Sequence, residues 1–141
     1  MVEWLIASGR DLGDLDKEGN GFTALDAARM RGCSEVASLL ERFRDDPAHI
    51  RHELRVKLAA ELFALNIFFC DGLLQLKPVP SSNPAAAVRF LTITKRLPME
   101  LQMILCHRAV GSAKDSILSK DSEEAFKSLA RILVLSQSKS R

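Results

Sequence analysis

Histidines and acidic residues stand close enough in three stretches of the sequence to invite a chemical reading. His49 and His52 are three residues apart and Glu53 adjoins them, a spacing that places two imidazoles on one face of a helix. A helical zinc site needs histidines at i and i+4 together with a further ligand, and no residue here supplies one, so the group reads as a solvated polar face. Cys106-His107 suggests a thiol activated by an imidazole. Neighbours on a helix point about 100° apart, however, so Cys106 is expected in the core and His107 on the surface. Asp14, Asp16, Glu18 and Asn20 place oxygen ligands at alternate positions, as a calcium loop does, but the glutamate that closes such a loop is missing. They read as an acidic loop. No catalytic residue, metal ligand or cofactor-binding residue is expected, no cofactor is implied, and the chain reads as non-enzymatic.

The balance of charge narrows the class of partner. Net charge is +2 over 141 residues, with 27% charged and 47% hydrophobic residues, which is ordinary for a folded domain. Arg42, Arg44, Arg51, Arg55 and Lys57 form a basic cluster, but Asp45, Asp46 and Glu53 offset it and no aromatic residues interleave it for base stacking. Neither nucleic acid nor a membrane is expected as partner. Cys33, Cys70 and Cys106 are odd in number and lack C-x-x-C spacing, so reduced thiols in a cytoplasmic or nuclear protein are expected. The N-terminus lacks the basic, apolar and small-residue succession of a signal peptide.

The stretch Gly21–Phe43 must position any binding surface. Thr23 is a candidate N-cap for a first short helix carrying Leu25, Ala27, Ala28 and Met30. Gly32 ends it, and Ser34 is expected to cap a second helix with Val36, Ala37, Leu39, Leu40 and Phe43 on its apolar face. Helices of about ten residues are marginal alone, so the hairpin must pack against neighbours.

The order of these residues resembles one ankyrin repeat. Gly21-Phe22-Thr23-Ala24-Leu25 is similar to the G-x-T-P-L opening of that family, Ala28 and Gly32 to its core alanine and inter-helix glycine, and Glu35-Val36-Ala37-Ser38-Leu39-Leu40 to its second helix. Ala24, Asp26 and Cys33 depart from the proline and two histidines usual there, and a looser repeat than the consensus is expected. Val2–Asp11 resembles the end of a preceding repeat, with Trp4 aligned to Leu39 at an offset of about 35 residues against a family period of 33. The chain would then open inside a repeat, as a piece of a longer array does. The resemblance implies a protein–protein interaction module, a scaffold or adaptor. It places partner contacts in the loop and on the exposed row of the first helix: Asp14, Asp16, Glu18, Asn20, Phe22, Arg29, Met30 and Arg31.

Beyond Phe43 the repeat pattern stops. Residues 1–44 are expected to form the repeats and residues 45–141 a C-terminal helical region packing on them. Asp46-Pro47 is a strong helix start for a segment running to about Leu76, and Leu62–Cys70 within it is apolar nearly all round. Glu61, Asn66 and Asp71 interrupt the apolar run and argue for a core helix over a membrane span. Lys77–Asn83 is a break. Further helices are expected from Asn83-Pro84 to Arg96, over Met99–Ala109, and from a capping-box start at Asp121, the last with Ala125, Phe126, Leu129, Ile132 and Leu133 on one face and a frayed tail from Ser136. The expected fold class is all-α, ankyrin-type hairpins continuing into a C-terminal helical bundle.

Leu97-Pro98-Met99-Glu100-Leu101 with Ile104 and Leu105 resembles the opening of an F-box. That second resemblance implies a substrate adaptor of a cullin ubiquitin ligase as the alternative function.

Overall fold

The computed structural model describes residues 1–12, 15–17, 21–76 and 86–138. These residues form helices without a strand, in agreement with an all-α chain. They divide into two compact units, Met1–Arg55 and Val56–Arg141. The division falls inside one helix, beyond the Arg44 boundary read from the sequence, because the first turns of that helix are built into the first unit.

The first unit contains α1 (Val2–Ala7), α2 (Ala24–Met30), α3 (Ser34–Asp45) and the beginning of α4 (Pro47–Cys70). Thr23 caps α2 as its sequence suggests: the Asp26 N–H donates to Thr23 Oγ1, and the Asp26 carboxylate accepts from the Thr23 N–H at 3.1 Å and its hydroxyl at 2.7 Å. This is a reciprocal capping box built on aspartate, so Asp26 itself ties the turn together. Gly32 takes φ +69°, letting its N–H reach Arg29 O and the Cys33 N–H reach Ala28 O. That closure leaves Cys33 at the junction as the cap of α3, and Ser34, expected as N-cap, is the first helical residue. Asp46 does cap α4, its Oδ1 accepting from the His49 N–H at 3.0 Å ahead of Pro47 at the first helical position.

With six residues, α1 cannot stand alone. Ile6 and Ala7 are buried with Ala28, Ala37, Phe43, Ile50 and Leu54. Burial of side chains such as Ile6 and Leu54 is worth about 1.5–3 kcal/mol each. The α1 carbonyls are then finished from α4: Arg51 Nε donates to Ile6 O at 3.1 Å and Arg55 Nε to Ala7 O at 2.8 Å. Leu39 and Leu40 on α3 are half-buried, while Ala37 and Phe43 carry its buried face.

The second unit holds the rest of α4 with α5 (Ala86–Thr94), α6 (Met99–Ala109) and α7 (Ser119–Ser138). Helix α4 stops at Cys70, short of Leu76. Gly72 takes φ +75°, the Gly72 N–H bonds Phe69 O and the Leu73 N–H bonds Phe68 O, the same closure that ends α2. The expected break at Lys77–Asn83 and helix start at Asn83-Pro84 lie outside the described residues, and α5 ends at Thr94. Helix α7 begins two residues before Asp121, on Ser119, so Asp121 lies in its first turn rather than at its cap, and the helix continues through Ser138. Ala60, Ala64 and Ala125 form a buried cluster flanked by Ile117, Phe126 and Leu129. Phe126 meets Phe63 and Phe68 edge-on at 6.3 and 5.7 Å between ring centres. Ile132, expected on the same face, is exposed because it lies beyond that cluster.

His107, expected on the surface, is fully buried with Cys106. Its Nε2 lies 2.8 Å from Ser116 O, in the segment that follows α6. A second buried polar contact joins α4 to α6: Asn66 Nδ2 donates to Gln102 Oε1 at 2.6 Å, and Gln102 Nε2 to Leu97 O at 2.9 Å. Among the described residues no helix is long and apolar enough to cross a membrane.

Candidate binding surface

The reciprocal cap at Thr23 and Asp26 fixes which way α2 faces. Leu25 and Ala28 turn inward, while Ala24, Ala27, Arg29 and Met30 are the exposed residues of α2, with Arg31 exposed at its C-cap. Three of the four within α2 are apolar, where the outer stripe of a short helix is ordinarily polar. Phe22, just ahead of the cap, adds an aromatic ring that is 51% exposed, and Met30 is 71% exposed. With Lys17, Thr23 and Arg31 they line an open cleft of about 630 Å³.

The residues expected to meet a partner are divided by this arrangement. Phe22, Met30 and Arg31 are brought together in the cleft. Arg29 serves the hairpin instead: its guanidinium pairs with Glu41 of α3 and braces the two helices. Asp16 is exposed, but its carboxylate faces Arg44 at 3.7 Å and lines a second, smaller cleft of about 260 Å³ with Arg10, Phe43 and Arg51. Asp14, Glu18 and Asn20 lie outside the described residues. Lys17 and the floor residues Ala24 and Ala27 were not legible as contacts, since small residues at helical spacing read equally well as a packed face.

The electrostatics of the cleft follow from what its neighbours have already used. Hydrogen bonds from the Thr23 hydroxyl and N–H hold the Asp26 carboxyl below its ordinary range, and Arg29 adds to that effect. Glu41 is occupied by Arg29. Among the described residues neither Lys17 nor Arg31 has a carboxylate partner, and both line the cleft.

The basic cluster of the sequence is spent within the chain. Arg42 pairs with Glu53 at 2.6 Å, Arg44 with Asp16 and Asp45, and Lys57 with Glu61 at 3.8 Å. Arg51 and Arg55 serve the α1 carbonyls, and Arg51 also stands 5.6 Å from the centre of the Phe43 ring. His49 lies 3.9 Å from Glu53, and no group of three or more potential metal ligands occurs among the described residues. Cys106 is buried, which pushes its thiol up to about 12. The F-box-like segment forms the start of α6, where Met99 and Leu101 are exposed, Ile104 and Leu105 half-buried, and Gln102 buried.

No protein-family model matches the chain, and neither a curated protein nor a solved structure matches it significantly.

Proposed function

We propose that this chain is a non-enzymatic protein–protein interaction module, of the ankyrin-type scaffold or adaptor class, and that it engages its partner through the exposed side of α2. The observation that carries this reading is the pairing of a well-braced hairpin with an apolar outer face. Thr23, Asp26, Gly32 and the Arg29–Glu41 pair all stabilise the hairpin itself. Phe22, Ala27 and Met30 are exposed on the outside of that hairpin. Contiguous exposed apolar residues rimmed by polar ones mark interaction sites. The motif order at Gly21–Leu40 supports the ankyrin class, with the aspartate cap taking the place of the histidine-based turn. The intramolecular use of the arginines supports a protein partner rather than nucleic acid.

Affinity capture with the immobilised chain tests this. A partner set should be retained by the wild type and lost from a Phe22→Ser, Met30→Ser variant. These are exposed substitutions, expected to change stability by no more than about 0.5 kcal/mol. Retention of the same set by the variant would remove α2 from the account.

A second reading, the substrate adaptor of a ubiquitin ligase, draws on the exposure of Met99 and Leu101 at the start of α6. It requires a cullin and its adaptor subunit in the captured set, and their recovery through α6 would replace the first reading.

A further inference from the structure

The chemistry of the α2 cleft specifies more than a protein partner in general. We infer that its occupant is an apolar peptide segment flanked by carboxylates. This inference rests on the reading of α2 as the binding face, and adds to it the class of sequence that the face selects.

The apolar part of the argument is geometric. Ala24, Ala27 and Met30 follow one another at intervals of three residues, with Arg31 four beyond Ala27, so they share one side of α2. The two alanines leave room between Phe22 and Met30, the large apolar side chains among the described residues at the cleft. A volume of about 630 Å³ falls within the roughly 300–1,000 Å³ typical of sites that take up compact ligands. Phe22 is a rigid aromatic anchor, and Met30 is unbranched and adapts to irregular apolar groups. Side chains such as leucine, methionine or phenylalanine complement that lining.

The charged part is a matter of what is left over. Among the described residues that line the cleft, the ionisable side chains are cationic, Lys17 and Arg31. Within the hairpin Glu41 is neutralised by Arg29, and the Asp26 carboxylate is turned to the Thr23 cap. A basic peptide would meet two like charges, whereas an acidic one gains complementary contacts that raise its association rate and exclude competitors. Arg31 offers a planar fork suited to a carboxylate, and Lys17 a mobile point charge.

Selection from a random peptide display library against the full chain tests the inference and needs no identified partner. The pool should become enriched in Asp and Glu on either side of Leu, Met, Phe or Trp. A synthetic peptide from that pool should bind the Phe22→Ser, Met30→Ser variant about tenfold or more weakly. With Lys17→Glu, Arg31→Glu the pool should shift toward Lys and Arg, and the wild-type pool should lose affinity with a reduced salt dependence. Circular dichroism and melting of each variant exclude unfolding as the cause. A wild-type pool that is basic, or without apolar residues, overturns the inference. Enrichment that survives both cleft variants also overturns it, while leaving the chain a binding module that uses another face. Failure to enrich any peptide sinks the inference together with the reading of α2 as a binding face.

Discussion

Arg55 donates from Nε to the carbonyl oxygen of Ala7 at 2.8 Å, joining residues 48 positions apart. Arg51 does the same for Ile6, so the end of a six-residue helix is completed by side chains from α4. The arginines thus act at the C-terminal end of the helix, where its dipole is negative and, among the described residues, Ile6 O is otherwise met only by the Gly9 N–H at 3.3 Å. Arg55→Met keeps much of the stem but removes the donor. It should cost about 1.5–3 kcal/mol, the range for a hydrogen bond to a charged group, measured as a lower denaturation midpoint with an unchanged slope. A loss within error of zero would show that α1 is held by the Arg51 bond and the packing of Ile6 and Ala7 without help from Arg55.

The Asp26 carboxylate accepts two hydrogen bonds from Thr23, which lower its pKa from 3.8. Because the folded value is depressed, its contribution to stability is present above the ordinary carboxylate range and is lost as pH falls through the folded value. The wild type should therefore melt higher than Asp26→Asn at neutral pH, and the gap should close on acidification below the ordinary value. A gap that is constant down to the acid end of the titration would mean that the charge on Asp26 does not hold the turn.

The three thiols should separate in native labelling. Cys33 is exposed, Cys70 half-buried and Cys106 fully buried with its thiol pushed up to about 12. A small maleimide should modify Cys33 first, Cys70 more slowly and Cys106 only upon unfolding. Modification of Cys106 as fast as Cys33 would contradict the packing of α6.

Much of this architecture is legible in local residue order, and the exceptions share a physical cause. Thr23, Gly32, Asp46 and Pro98 announce helix ends because caps depend on side chains within a few residues. Gly72 announces one equally well, yet the apolar residues Leu73, Leu74 and Leu76 carry the hydrophobic pattern past it and suggest a longer helix. His107 was not legible as buried because its environment is made by Ser116 in the segment that folds back along α6. The Asn66–Gln102 contact has the same origin, being 36 residues apart in sequence. At the cleft, Phe22, Met30 and Arg31 follow from the hairpin pattern. The separation of Arg29 and Asp16 from them is set by Glu41 and Arg44, partners that only the folded hairpin brings near.

The central claim, that the exposed side of α2 is the recognition surface, is tested most directly by comparing two double variants in one titration. Dissociation constants for a captured partner would be measured with wild type, with Phe22→Ser, Met30→Ser, and with Met99→Ser, Leu101→Ser, all four positions being exposed. The account predicts that the α2 pair weakens binding about tenfold or more while the α6 pair leaves it within about twofold, with all melting temperatures alike. Unchanged affinity in the α2 variant, with loss in the α6 variant, would contradict it and assign recognition to the F-box-like segment.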